Sequence, residues 1–127
     1  MKNNYPEEIE RLAIEAARLK HFIETVRASI QVIEADLQLD IIAARDVEGK
    51  PVFGNERARE AAFVKACNES EELQTLIAER RTHEFSLAET TAKFDRLRAE
   101  FNLYLLDREE KSNQDILLAL PFVGKVV

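Results

Sequence analysis

The chain changes direction in the stretch 46–55, which reads Asp46-Val47-Glu48-Gly49-Lys50-Pro51-Val52-Phe53-Gly54-Asn55. Two of the three glycines and one of the three prolines of the whole chain fall inside it, and both residue types interrupt regular structure. Asn55 before Glu56 is typical of a helix start, because an Asn side chain accepts a hydrogen bond from a free backbone amide of the first turn. The stretch therefore predicts a turn, residues 46–55, between two helices.

The residues before the turn predict one long helix, residues 6–45. Pro6 and the acidic pair Glu7 and Glu8 suit a first helical turn. The apolar residues recur at spacings of three and four, the pattern of a heptad seam; they are Ile9, Leu12, Ala16, Leu19, Ile23, Val26, Ile30, Ile33 and Leu37. At about 1.5 Å per residue this helix is roughly 60 Å long.

The residues after the turn predict a second helix, residues 56–108, with a seam formed by Ala62, Ala66, Leu73, Leu76, Leu87, Phe94, Leu97, Phe101 and Tyr104. The turn spans at most about 35 Å, so the two helices must run side by side in opposite directions. The predicted fold is all-α: a single domain, residues 1–127, built as a long antiparallel, coiled-coil-like two-helix hairpin. A short C-terminal helix or tail, residues 112–127, begins at Ser112 in a capping-box-like sequence and is stopped by Pro121.

The second helix is longer than the first, which leaves part of its seam without a partner. If Leu37 faces the region of Phe63, then Ile9 faces the region of Ala92, and roughly a dozen residues of helix two extend beyond helix one. Four seam residues fall on this extension: Phe94, Leu97, Phe101 and Tyr104. Two covers are open, either another subunit or the tail of the same chain through Ile116, Leu117, Leu120 and Phe122.

The first helix carries a second apolar face opposite its seam, formed by Ala28, Val32, Ala35, Leu39 and Ile42. A helix that is apolar on both sides is expected to be buried on both sides, and a two-helix hairpin has no third layer for this purpose. The pattern predicts a homo-oligomer, with a dimer favoured, or a protein partner helix. The alternative is that Phe53 and nearby side chains of the turn cover the face.

Composition argues against several functional classes. The formal net charge is −6, so direct nucleic-acid binding is not expected. The turn lacks the ligands of a calcium loop and the Ser or Thr of a phosphate loop. Cys67, His21 and His83 show no metal-ligand spacing, and no nucleophile turn is present, so we predict no enzyme, no metal and no cofactor. His83 and Arg80 are interpreted as polar seam positions that fix register.

Location is predicted from the same sequence. The longest apolar run, residues 116–120, is far shorter than the roughly 18 residues of a transmembrane segment, and the tail lacks the basic cluster of a membrane-surface segment. The first eight residues do not resemble a signal peptide. A lone Cys67 suits a reducing compartment. We therefore predict a cytoplasmic protein.

The stretch from Asp46 to Arg59 resembles the turn of a group of small phage- and prophage-type helical-hairpin proteins. In that group an Asp, a Gly-Lys pair, an aromatic residue and Asn-Glu-x-x-Arg join two long Glu-rich helices; Arg59 is the last residue of this motif here. Ala61-Ala62-Phe63 and the apolar tail depart from it. The resemblance implies a scaffold or accessory role. The predicted function is a non-catalytic, oligomerising or protein-interaction helical scaffold; the alternative is a phage-type accessory factor in DNA replication or recombination.

Overall fold

A computed structural model describes residues 4–119, with side chains through residue 116. Three helices account for most of this range: α1 (Tyr5–Ala43), α2 (Glu56–Glu69) and α3 (Glu71–Ala119). Within residues 4–119 there is no strand beyond one isolated antiparallel bridge between Arg45 and Pro51. The prediction of an all-helical fold is confirmed.

The loop that follows α1 is ordered by Asp46. Its Oδ1 accepts hydrogen bonds from the backbone amides of Glu48 and Lys50, both at 2.9 Å. The chain reverses at Gly49, whose φ of +81° suits a residue without a Cβ. At the end of the loop, Asn55 Oδ1 accepts from the amide of Ala58 at 2.8 Å, which is the N-cap expected from the sequence.

The predicted unbroken helix 56–108 is wrong at Ser70. This residue has an extended backbone (φ −79°, ψ 106°), and its amide donates to the carbonyl of Ala66, which ends α2. Its Oγ accepts from the amide of Leu73 at 3.2 Å, which starts α3. A serine that hydrogen-bonds to backbone groups on both sides competes with the helix. One residue therefore caps two helices.

The predicted end of the second helix at residue 108 and the separate C-terminal segment from residue 112 are also wrong, because α3 continues through residues 108–112 and ends at Ala119. Glu109, Glu110 and Lys111 favour helix, a single Ser112 costs little, and the first proline comes only at position 121. Ile116 and Leu117 thus belong to the same helix as Phe94 and cannot fold back over it as a separate segment. Leu120 and Phe122 lie outside the described residues.

The contacts of the chain fall into two units, and the larger comprises residues 16–88. Its core is formed by Val26, Ile30 and Leu73, with Ile33, Leu37, Cys67, Leu76 and Ile77 packed against it. Phe22 of α1 stacks on His83 of α3, whereas later residues of α1 approach α2, so the packing within this unit is antiparallel. All nine seam residues expected on α1 are buried or half-buried.

The other unit combines residues 4–15 with 89–119. The ring of Tyr5 lies 5.5 Å from that of Phe101 and 5.7 Å from that of Tyr104. If both helices rise equally per residue, Ile9 then falls near Leu97. The sequence predicted instead that Ile9 lies near Ala92. The predicted pairing assumed constant rise along an unbroken second helix, and the break at Ser70 removes that condition.

Candidate interaction surface

One face of α1 stays open to solvent along four helical turns. We call it the outer face; it consists of Ala28, Val32, Ala35, Leu39 and Ile42, all of which are exposed. Val32, Leu39 and Ile42 expose 60%, 62% and 56% of their surface. Phe53 is half-buried in the loop, but these exposures show that the loop does not cover the face. That alternative is wrong.

The outer face and the seam lie on opposite sides of the same helix. Successive residues are rotated by about 100°, so Val26, Ile30 and Ile33 point roughly 180° away from Val32 and Ala35. Val26 and Ile30 expose only 7% and 4% of their surface. A partner on the outer face would therefore not compete with the intramolecular packing.

The outer face opens into a groove at its C-terminal end, where α1 meets α2. The groove has a volume of about 310 Å³. Ile42 belongs both to the outer face and to the groove; the other lining residues are Gln38, Ile41, Glu56, Arg59, Glu60 and Phe63. Arg59 is fixed by a hydrogen bond from its guanidinium to the carbonyl of Phe53 at 3.4 Å. Glu56 and Glu60 are exposed and give the rim negative charge.

The charged residues within the stretch of α1 that carries the outer face are all acidic. Residues 28–43 include no Lys or Arg, while Glu34, Asp36 and Asp40 are acidic. Asp36 follows Ala35 directly and therefore borders the face. The basic residues of this part of α1 lie earlier, at Lys20 and Arg27. An occupant of the outer face has to accommodate this acidic border.

The aromatic residues predicted as an uncovered extension are partly covered within the chain. Phe94, Leu97, Phe101 and Tyr104 are all half-buried. Tyr5 supplies part of the cover, which sequence reasoning did not assign. The Arg108 guanidinium lies 5.9 Å from the Tyr104 ring centroid and donates to the Tyr104 hydroxyl at 3.3 Å.

Beyond these rings, α3 exposes several large apolar residues without a continuous stripe. Leu103, Leu105, Leu106 and Ile116 expose 68%, 46%, 61% and 53% of their surface. At about 100° per residue, Leu103, Leu105 and Leu106 point in different directions around the helix. Ile116 lies on the side of Leu105, but residues 107–115 between Leu106 and Ile116 are all charged or polar. Ile116 belongs to the tail that was one of the two covers left open for the aromatic residues, and it is exposed instead.

A polar cluster interrupts the seam where α1 passes α3. Arg27 Nη2 lies 3.0 Å from Glu84 Oε2, and Arg80 Nε lies 3.7 Å from Glu84 Oε1. His83 Nε2 lies 3.6 Å from Glu79 Oε1, and the His83 ring stacks on Phe22 with centroids 5.6 Å apart. These side chains combine ion pairs with one stacked ring, an arrangement that positions helices against each other.

His21, the other histidine of the chain, is exposed. Over residues 4–116, no group of three or more His, Cys, Asp or Glu side chains is placed to hold a metal ion. None of the described helices is long and apolar enough to span a membrane. The Cys67 thiol is half-buried, and its pKa is raised, first by burial and second by the charge of Glu34.

No family model, curated protein or solved structure matches the chain.

Proposed function

We propose that the protein is a non-catalytic helical scaffold, an antiparallel coiled-coil-like hairpin that assembles with another protein helix through the outer face of α1. The observation that carries this proposal is the exposure of five successive heptad positions opposite a fully occupied seam. A helix in a coiled coil buries such a stripe against a second helix. The half-buried thiol and the ion pairs around Glu84 have structural explanations that involve no reaction.

The size of the exposed surface indicates a reversible contact. Full burial of a Val, Leu or Ile side chain is worth about 1.5–3 kcal/mol, so covering the exposed halves of Val32, Leu39 and Ile42 contributes roughly 3 kcal/mol from this chain. A partner face of the same kind doubles the gain. Association also costs at least about 4 kcal/mol in lost motional freedom. The complex should therefore form and dissociate with concentration.

The first test is the molar mass in solution, measured by light scattering over a wide range of concentrations. The molar mass of the wild-type chain should rise above the monomer value of 14.6 kDa. Leu39→Glu should stay monomeric, because the new carboxylate cannot be buried without an opposite charge to pair with. Leu103→Glu is the matched control: Leu103 is as exposed as Leu39 but lies outside the outer face. It should behave as wild type, and circular dichroism should show unchanged helix in both variants.

A second test detects a partner that is absent from the purified sample. p-Benzoylphenylalanine is placed at position 39 or, as a control, at position 103, and the cells that produce the chain are irradiated. A covalent protein adduct should form from position 39 and not from position 103. A purified chain that stays monomeric at all concentrations and gives no adduct from position 39 would contradict the proposal.

A further inference from the structure

We propose that the occupant of the outer face is a second copy of this chain, with the two α1 helices packed antiparallel in one defined register. This inference rests on the proposed function and names the partner. It predicts a two-fold symmetric contact, in which each outer face is covered by the other.

Side-chain size along the outer face sets the direction. Small and large residues alternate: Ala28, Val32, Ala35, Leu39. A parallel pair would place each residue opposite its own copy, so that Leu39 meets Leu39 while Ala35 meets Ala35 and leaves a void. Helix contacts are close-packed, and both crowding and voids weaken them. An antiparallel pair can instead place a small residue opposite a large one in each of the four layers that these residues form.

Two antiparallel registers bring the faces together, and they differ in quality. In the first, Ala28 lies opposite Leu39 of the second copy and Val32 lies opposite Ala35; by symmetry this gives four layers, each with one small and one large residue. The alanines let the helix axes approach to about 8 Å. In the second register, Val32 would lie opposite Ile42, so one layer holds two β-branched side chains.

Charge separates the same two registers. In the second register, Asp36 lies beside Asp36 of the other copy, and like charges at such a position oppose association. In the first register, Asp36 lies beside Ser29, and Gln31 lies beside Gln38. The acidic border of the face then meets neutral polar groups, so the first register is favoured.

The ends of the contact also fit the first register. Ile42 falls opposite Thr25 of the second copy, whose hydroxyl already donates to the carbonyl of His21 at 3.0 Å; burying Thr25 thus leaves no unpaired donor. Arg27 of the second copy falls opposite Ile41, on the side where Glu56 and Glu60 line the groove. Arg27 is 55% exposed despite its pairing with Glu84, so it remains available to these carboxylates.

The length of the contact bounds its strength. From Thr25 to Ile42 the two helices run together for about 26 Å. A contact of this length along one helix buries less surface than the roughly 800 Å² per partner of a typical stable complex. The dimer should therefore dissociate on dilution. Leu39→Glu should raise its dissociation constant on the order of 100-fold or more, because each dimer loses two buried leucines.

An overfilled layer gives an independent check on packing. Ala35→Leu adds apolar surface to an exposed position, which would strengthen binding to a partner with room to spare. In the proposed register the new side chain collides with Val32 of the second copy. The dissociation constant should rise by about 10-fold or more, while a lower dissociation constant would overturn the register.

Cysteine cross-linking decides direction and register together. In a Cys67→Ser background, chains with Ala28→Cys and chains with Leu39→Cys are oxidised separately and as a mixture, with one chain tagged to identify the product. Only the mixture should form a disulfide dimer. Identical positions are 11 residues apart along the antiparallel pair, about 16 Å, which is too far for a disulfide. Ala35→Cys mixed with Leu39→Cys reports the second register and should not link.

Each other outcome has a defined meaning. Disulfide dimers from either variant alone would overturn the antiparallel arrangement, and linkage of positions 35 and 39 would overturn the register. A monomeric chain whose position 39 photo-cross-links to a different protein would overturn the second copy as occupant and leave the proposed function standing. A monomeric chain without any adduct would overturn both.

Discussion

Truncation of Leu73 should lower the free energy of unfolding far more than truncation of an exposed leucine. It is completely buried in the first turn of α3 and packs with Val26 and Ile30 of α1. Leu73→Ala removes three carbon atoms, each worth about 0.8 kcal/mol in transfer free energy, and leaves a cavity that adds roughly 1 kcal/mol more. We expect the free energy of unfolding to fall by about 3 kcal/mol.

Equilibrium urea unfolding, followed by circular dichroism at 222 nm at one fixed protein concentration, measures this loss. Leu103→Ala removes the same atoms from a residue that is 68% exposed, and it should cost less than about 0.5 kcal/mol. If the two variants lost the same free energy, Leu73 would not lie at the centre of the core. The rotation of α3 about its own axis, which decides which of its residues face α1, would then have to be different.

Four further predictions follow from the loop, the break, the thiol and the net charge. Ser70→Ala should lower the free energy of unfolding by about 1 kcal/mol in the same urea assay, because α3 loses its N-cap, whereas Ser29→Ala in the middle of α1 should not lower it. Gly49→Ala should cost about 1 kcal/mol, since φ is +81°; an unchanged stability would contradict this loop geometry. Because burial raises the pKa of Cys67, iodoacetamide should alkylate it more slowly in the folded chain than in urea, and its rate should rise at higher pH than that of an exposed cysteine. Duplex DNA should show no gel shift, given a net charge of −6; a shift that disappears steeply with added salt would contradict this.

The parts of the fold that the sequence predicted are those with a local, repeating signal. The seam of α1 could be identified because burial on one side of a helix requires apolar residues at spacings of three and four. The turn could be identified because Gly49, Pro51 and Gly54 break helices and Asn55 caps one. The outer face could be located from the same spacing. Its members are all exposed, on the side of α1 opposite the seam.

The break at Ser70 could not be predicted from that signal. Ala66 and Leu73 are seven residues apart, so the heptad spacing continues across the break as if the helix were whole. The signs that were present are weaker: a serine followed by two acidic residues, Glu71 and Glu72, which suit a first helical turn. The backbone groups are satisfied locally, with Gln74 Nε2 donating to the carbonyl of Cys67 at 2.9 Å, so no glycine or proline is needed.

The register between residues 4–15 and residues 89–119 could not be predicted from the sequence for a different reason. Pairing between helices depends on the accumulated rise along both, and a single interruption shifts every later contact. The stacking of Tyr5 on Phe101 and Tyr104 therefore could not be deduced from residue types alone. It explains why those two rings are half-buried although the tail does not fold back over them within the described residues.

Helix stability alone does not explain the composition of the outer face. Val32 and Ile42 are β-branched and form helix less readily than Glu, Lys or Gln would at the same positions. Each exposes more than half of its surface, so neither contributes its full apolar burial to the folded chain. Ala28 and Ala35 of the same face are exposed as well, so the folded chain does not bury them either. An alternation of small and large apolar residues is useful where two helices interdigitate, and this is why the arrangement of Ala28, Val32, Ala35 and Leu39 favours a helix-to-helix contact over a solvated surface.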